Sequence, residues 1–197
     1  MRKTWVSKLA GEVEMKYGKE VSNRIFGDFH NVPKDPDAEK EWFYQFTKGM
    51  DELGDKEFLT SIMAKHCPCG YNHAVRSIKK YYEQSTNTQD FVKQLDESGE
   101  FGDFIELKEN VMYATKPPMN HKQAGSCGKG CHCSLARLTD KLISDIFCYC
   151  CTVGYYKKMF KKALGVDVNV EFVDSIVTGG KGCTAAIHLP ERDSLGY

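Results

Sequence analysis

The sequence predicts an α+β fold, with a helix-rich N-terminal part packed on a small antiparallel sheet and a C-terminal helix followed by a β-hairpin. Over most of residues 1–100, apolar side chains recur at helical spacing, whereas residues 166–189 alternate between apolar and polar positions as strands do. A length of 197 residues suits one hydrophobic core. We therefore expect a single domain, 1–197, with a helical portion, 1–100, and a cysteine-rich helix and hairpin portion, 101–197.

The helical portion is predicted from apolar stripes. In the first stripe an apolar residue stands at every fourth position, and Gly18 is expected to interrupt or bend that helix. A second helix follows the loop NVPKDPD, and Asp55 is placed to cap a third. Further helices are indicated through Val75 to Tyr82 and around Phe91 to Leu95. The first three stripes are Trp5, Leu9, Val13, Tyr17, Val21, Ile25 and Phe29; Trp42, Phe43, Phe46, Met50 and Leu53; and Phe58, Leu59, Ile62 and Met63.

The cysteine-rich portion opens with a change of period. The segment FGDFIELKENVMYATK predicts two short strands about a KEN turn, and a long loop then leads into GSCGKGCHC. A helical stripe from Leu135 to Val153 follows, a second from Tyr156 to Leu164 continues it, and Gly165 is placed to end it. A hairpin with TGGKG as its turn completes the predicted fold.

The alternation in the final strand indicates where Cys183 points. Cys183, Ala185 and Ile187 share one face, which we expect to point into the core against the preceding helix. Because the connection around Gly165 is short, the hairpin should fold back toward the cysteine-bearing end of that helix. We therefore predict that Cys183 lines the same pocket as at least one of Cys148, Cys150 and Cys151, with the glycine-rich loop of Cys131 and Cys133 within reach.

Composition excludes several classes of partner. The chain has 27 basic and 27 acidic residues, so no net field attracts nucleic acid. No apolar run is long enough to cross a membrane, and the N-terminal segment carries charges where an export signal needs an apolar stretch. We expect a cytoplasmic protein without nucleic-acid or membrane partners, its oligomeric state left open. Nine cysteines, an odd number, favour reduced thiols or metal ligands over disulfides.

The cysteine spacing predicts a metal site. If the helix through 148–151 is regular, Cys148 and Cys151 form a C-x-x-C pair away from the apolar stripe, and Cys150 lies nearer to it. Such a pair can share one zinc ion or act as a redox pair. An iron–sulfur cluster stays open because four cysteines can hold one, although no ferredoxin spacing is present. The predicted zinc ligands are Cys127, Cys131, Cys133, Cys148 and Cys151.

The alternative is that these cysteines only fill space in the hydrophobic core. Cysteine often behaves as a small buried hydrophobe, and Cys150 and Cys183 fit that description best. No role is assigned to Cys67 and Cys69. The lysines near the end of the last helix, among them Lys158, are expected to form a solvated face.

The final segment, CYCCTVGYYKKMFKKALGVDVNVEFVDSIVTGGKGCTAAIHL, resembles the end of the bacteriochlorophyll vinyl-reductase-type domain. That resemblance implies a fold like those of Golgi-tethering and heme-associated nitric-oxide-sensing proteins, small-molecule binding, and cysteines that hold zinc. The segment is also similar to the L-2-amino-thiazoline-4-carboxylic acid hydrolase family. The match covers the last quarter of the chain and places one of the three helix cysteines together with Gly154, Gly182 and Cys183.

Two functions are therefore predicted as alternatives. In the first, the chain is a cytoplasmic small-molecule-binding or sensor module with a zinc site, and its pocket uses Tyr149, Cys150 and Cys183. In the second, it is a cysteine-dependent hydrolase of a small cyclic or amide substrate, with Cys151 and Cys183 as the catalytic candidates. A thiolate used as a redox centre belongs to the same enzymatic class.

Overall fold

Side-chain caps and glycine breaks set where the N-terminal helices begin and end. In the computed structural model, which describes residues 2–27, 33, 35–68, 72–99, 101, 104–118, 130–131, 144–177 and 179–190, Asp35, Asp55 and Asn87 each accept a backbone N–H at a helix start. Gly18, with φ of 88°, separates the first two helices as predicted. The helices are α1 Arg2–Tyr17, α2 Lys19–Phe26, α3 Pro36–Glu52, α4 Lys56–Lys65, α5 Asn72–Gln84 and α6 Thr88–Glu97.

The sheet is built from two hairpins. Its strands are β1 Phe104–Lys108, β2 Val111–Lys116, β3 Asn169–Asp174 and β4 Cys183–His188. They lie in the order β1-β2-β4-β3, and every neighbouring pair is antiparallel. The predicted α+β class is therefore confirmed, and the two predicted hairpins are joined edge to edge through β2 and β4.

Two apolar clusters form the core. The first lies among α1 to α4 and is rich in aromatic rings, with Phe46 contacting Trp5, Phe26, Phe43 and Phe147. The second lies between the sheet and α5, α6 and the C-terminal helix. Each fully buried ring of this size contributes about 1.5–3 kcal/mol relative to leaving it in water. The predicted stripes are confirmed as core in the described part; Phe29 lies outside it.

The chain between the loop cysteines and the last helix departs from the prediction. A regular helix through residue 153 was expected, but residues Asp145–Phe147 form a 3₁₀ turn and Cys150–Gly154 form a π-helical turn. A regular α-helix, α7, begins only at Tyr155 and ends at Leu164, where Gly165 adopts the left-handed conformation. The earlier part of the predicted stripe, 135–143, lies outside the described residues.

The π-helical turn is stabilised by contacts that replace regular helical hydrogen bonding. Thr152 Oγ1 donates to the Cys148 carbonyl at 2.7 Å, and Lys116 of β2 donates to the Cys151 carbonyl. The turn also presses against α4, because a Cβ at Gly154 would lie 2.3 Å from the Ala64 carbonyl oxygen. Only glycine fits this approach, which local periodicity does not reveal.

We expect Gly154→Ala to destabilise the protein by about 2–3 kcal/mol, because the added methyl group overlaps backbone of α4 that has no room to move. The matched control is Gly11→Ala in α1, where a Cβ meets nothing within 4 Å. That substitution should stabilise the protein by about 0.5–1 kcal/mol through helix propensity. Urea unfolding of both variants measures the difference, and equal midpoints would show that the close approach is absent.

Candidate functional site

The candidate site lies at the end of the sheet, on the face that meets the helices. Cys183 begins β4 and is paired in register with Lys116, the last residue of β2. On the same face the next pair along the strands is Ala114 with Ala185, and both of these side chains are fully buried. Cys183 is only 1% exposed, so the prediction that its face points into the core is confirmed.

Several groups surround the Cys183 sulfur and favour its ionised form. The Cys131 thiol donates a hydrogen bond to it, and the Ile176 backbone N–H donates another. Lys116 adds a positive charge, whereas burial and the Asp174 carboxylate oppose ionisation. The hydrogen bond from Cys131 is the largest of these effects, and together they lower the pKa of Cys183 to about 7. At neutral pH a large fraction of Cys183 is therefore thiolate.

The turn between β3 and β4 holds the Ile176 N–H in place. A bulge between Phe172 and Asp174 ends the regular pairing of β3. The Asp174 carboxylate then accepts the Ser175 N–H at 2.7 Å, and Gly180 N–H donates back to the Ser175 carbonyl at 2.8 Å. A side chain at Gly180 would collide with the Asp174 carboxylate. The glycines of the predicted TGGKG turn thus allow the fold that directs Ile176 at the sulfur.

Lys116 links this site to the π-helical turn. Its Nζ donates to the Cys151 carbonyl oxygen at 2.5 Å. The same ammonium group lies 3.9 Å from the Tyr155 ring centroid and 4.6 Å from that of Tyr156. These contacts fix the charge beside Cys183, and the half-burial of Lys116 reduces its screening by bulk water.

The three cysteines before α7 are all buried, and Cys151 belongs to the first apolar cluster together with Cys150, whereas the sequence predicts Cys148 and Cys151 on the side away from the apolar stripe. The 100° spacing assumed for a regular helix does not hold across a 3₁₀ turn followed by a π-helical turn. Cys148 Sγ donates to Ser175 Oγ at 3.3 Å, and Cys151 Sγ donates to the Cys148 carbonyl at 3.5 Å. Cys150 packs in the aromatic cluster, and Tyr149 stacks on Phe172 at 5.0 Å.

These contacts connect Cys151 to Cys183 through one intervening residue and Cys148 through two. Cys148 contacts Ser175, the neighbour of the Ile176 donor, and Cys151 contacts Lys116 through its carbonyl. A pocket shared by Cys183 and one of them stays a prediction.

The described residues include only part of the predicted zinc ligand set. Cys127 and Cys133 lie outside the described residues, and Cys131 is the one predicted loop ligand that is described beside Cys183. No group of three or more histidine, cysteine or acidic side chains placed to hold a metal ion occurs in the described ranges. Zinc binding therefore stays a prediction.

Sequence reasoning missed Lys116, Ile176 and Asp174. Lys116 could have been found, because Met112, Ala114 and Lys116 alternate onto one face of the predicted strand. The pairing of β2 with β4 was not foreseen, and it is this pairing that brings Lys116 to Cys183. The backbone donor of Ile176 carries no signal in the sequence, because any residue supplies an N–H.

A family model matches residues 2–193 of the chain. The chain belongs to this family, a family of unknown function (DUF6144). Neither a curated protein nor a solved structure matches the chain. The resemblances to the vinyl-reductase-type domain and to the hydrolase family stay predictions. In the described ranges of this family member, no helix has the length and apolar character needed to span a bilayer.

Replacing Cys131 by alanine should raise the pKa of Cys183 from about 7 toward the ordinary thiol value, because the largest stabilising hydrogen bond is lost. Cys131→Ser keeps a donor and should raise it less. The pH dependence of iodoacetamide labelling of the Cys183 peptide, read by mass spectrometry from about pH 5 to about pH 10, measures the shift. Cys150→Ala serves as the control, and an effect equal to that of Cys131→Ala would contradict the assignment.

Proposed function

We propose that this chain is a thiol-based redox sensor module in which Cys183 is the attacking thiolate and Cys131 the resolving thiol. The observation that supports it is the hydrogen bond from the Cys131 thiol to Cys183, a pair brought together from positions 52 residues apart in the sequence (183 − 131). Reactive thiols are those with thiolate character near neutral pH, and a resolving cysteine in contact allows disulfide closure.

The chemistry requires a small two-electron oxidant, for which a hydroperoxide is the natural class. The Cys183 thiolate attacks the peroxide oxygen, the O–O bond breaks, and a sulfenic acid and an alcohol or water are formed. Cys131 sulfur then attacks the sulfenic sulfur, the S–O bond breaks, and water leaves as the disulfide forms. Two thiols lose two electrons in total, and the peroxide gains them.

The surroundings suit a sensor of small molecules. Both sulfurs are almost completely buried, at 1% exposure for Cys183 and 2% for Cys131, which favours a small oxidant over a bulky disulfide. Lys116 and the Ile176 N–H stabilise the thiolate while each keeps its own proton. All six described cysteines are thiols, which suits a reducing compartment and supports the cytoplasmic location that the sequence predicts.

Zinc binding at the same pair is the second candidate. Zinc needs deprotonated thiols, and a pKa near 7 at Cys183 lowers the cost of supplying one. Cys127 and Cys133 stand in the same loop sequence as Cys131 and would be the candidates to complete four ligands. A zinc ion held here would fit the small-molecule-binding module that the sequence predicts.

The hydrolase alternative has less support. Hydrolysis by a thiolate needs a proton donor for the leaving group, usually a histidine. In the described part of the chain the groups acting on Cys183 include no histidine: His66 Nε2 lies 2.7 Å from Glu12, and His188 Nε2 lies 2.9 Å from Glu171.

The deciding experiment treats anaerobically purified protein with hydrogen peroxide and maps disulfides by mass spectrometry. We expect a Cys131–Cys183 disulfide in the wild-type protein and overoxidised Cys183 in Cys131→Ser, where no resolving thiol remains. Cys183→Ser should abolish the fast phase of peroxide consumption. Cys150→Ser, a buried cysteine in the aromatic cluster, is the matched control and should behave like the wild-type protein.

Metal content measured on the same preparation separates the two candidates. Little metal together with the mapped disulfide supports the redox sensor. One zinc per chain, lost in both Cys131→Ser and Cys183→Ser but retained in Cys150→Ser, would replace it with the zinc module. A protein with neither zinc nor the disulfide would contradict both.

A further inference from the structure

A cavity lined largely by cationic side chains is formed by residues other than those of the thiol site. It has a volume of about 360 Å³ and is formed by α1, by the end of α4 with the residues after it, and by α7. Its lining residues are Thr4, Trp5, Lys8, Lys65, His66, Cys67, Pro68 and Lys158. Cavities that bind small molecules usually have volumes from about 300 Å³ upward.

The charge of this cavity is positive after its internal ion pairs are counted. Glu12 accepts from Lys65 Nζ and from His66 Nε2, each at 2.7 Å, and these bonds lower the pKa of the Glu12 carboxyl. Glu12 therefore offsets one of the cations. Lys8 has no ion pair within the described part of the chain, and Lys158 donates to the neutral Cys67 carbonyl at 2.9 Å. Among the described residues, these two lysine charges have no counter-charge.

Lys158 is held in this position by the fold. The sequence predicts a solvated face for the lysines of this helix, but Lys158 is half-buried, whereas its neighbour Lys157 is exposed. Its ammonium group has three donors, and the Cys67 carbonyl uses one of them. As far as the described ranges go, no other acceptor takes the remaining donors, which are therefore available to a ligand.

Trp5, one of the lining residues, carries a buried donor without a partner among the described residues. The Trp5 side chain is 3% exposed, and its Nε1–H has no hydrogen-bond partner among the described residues. An indole N–H is a donor only, so a buried one needs an acceptor. Lys8 and Lys158 have donors to spare, and an anionic oxygen that reaches the indole N–H would satisfy both kinds of group.

We infer that this cavity is a binding site for a phosphate group, carried by a small phosphomonoester or present as inorganic phosphate. A phosphate dianion matches the two uncompensated lysine charges, and its several oxygens can accept from ammonium and indole donors at once. The volume exceeds that of phosphate alone and leaves space for the organic part of a small ester. The site is independent of the thiol pair and of the function proposed for it.

Isothermal titration calorimetry at low ionic strength tests the site, with inorganic phosphate and glycerol 1-phosphate as probes and glycerol as the uncharged control. We expect at least one phosphate probe to bind with a dissociation constant of about 1 mM or tighter, and glycerol not to bind. Tighter binding of glycerol 1-phosphate identifies an ester as the ligand class, and equal binding identifies the free anion.

Three substitutions locate the binding. Lys8→Ala and Lys158→Ala should each weaken affinity roughly tenfold, and Trp5→Phe, which keeps an aromatic ring but removes the N–H, roughly fivefold. Lys157→Ala makes the same change of charge on an exposed neighbour and should change affinity less than about twofold. Circular dichroism confirms folding of each variant. Absence of binding by both probes, or equal losses in Lys157→Ala and Lys8→Ala, would overturn the inference.

Discussion

The ammonium group of Lys116 is the contact on which the arrangement of the thiol site depends. It stands at the end of β2, donates to the carbonyl of Cys151 in the π-helical turn, and packs over the rings of Tyr155 and Tyr156 at the start of α7. One side chain thus ties the sheet to the C-terminal helix at the level of Cys183, its partner in β4. The same charge that closes this junction also favours the thiolate beside it.

A buried thiolate persists only if nearby groups compensate for the loss of water. At Cys183 the compensation is shared among a thiol donor, a backbone donor and the lysine charge, and each comes from a different segment of the chain. The bulge in β3 and the glycine turn position the backbone donor, and the pairing of β2 with β4 positions the lysine. The reactivity proposed for Cys183 is therefore a property of the assembled fold and not of any local motif.

Periodicity was sufficient to predict the helical stripes, the break at Gly18, the cap at Asp55 and the inward face of β4, because each depends on local spacing. It failed at residues 144–154. There Gly154 packs against α4, and backbone carbonyls accept hydrogen bonds from side chains, so that 3₁₀ and π-helical turns are favoured over a regular helix. Folding the hairpin back along the helix also placed the loop of Cys131 and Cys133 within reach of Cys183, and the hydrogen bond from Cys131 agrees with this. The sequence did not specify that direct contact, because it depends on topology and strand register, which spacing within one segment does not encode.

The central claim is that Cys183 is substantially ionised at neutral pH. Thiolates absorb at about 240 nm and thiols do not. The difference in absorbance between the wild-type protein and Cys183→Ser therefore isolates the ionisation of Cys183 as pH is raised. The difference should titrate with a midpoint at about 7. A midpoint at about 8.5 or above, the ordinary range of a thiol, would contradict the claim.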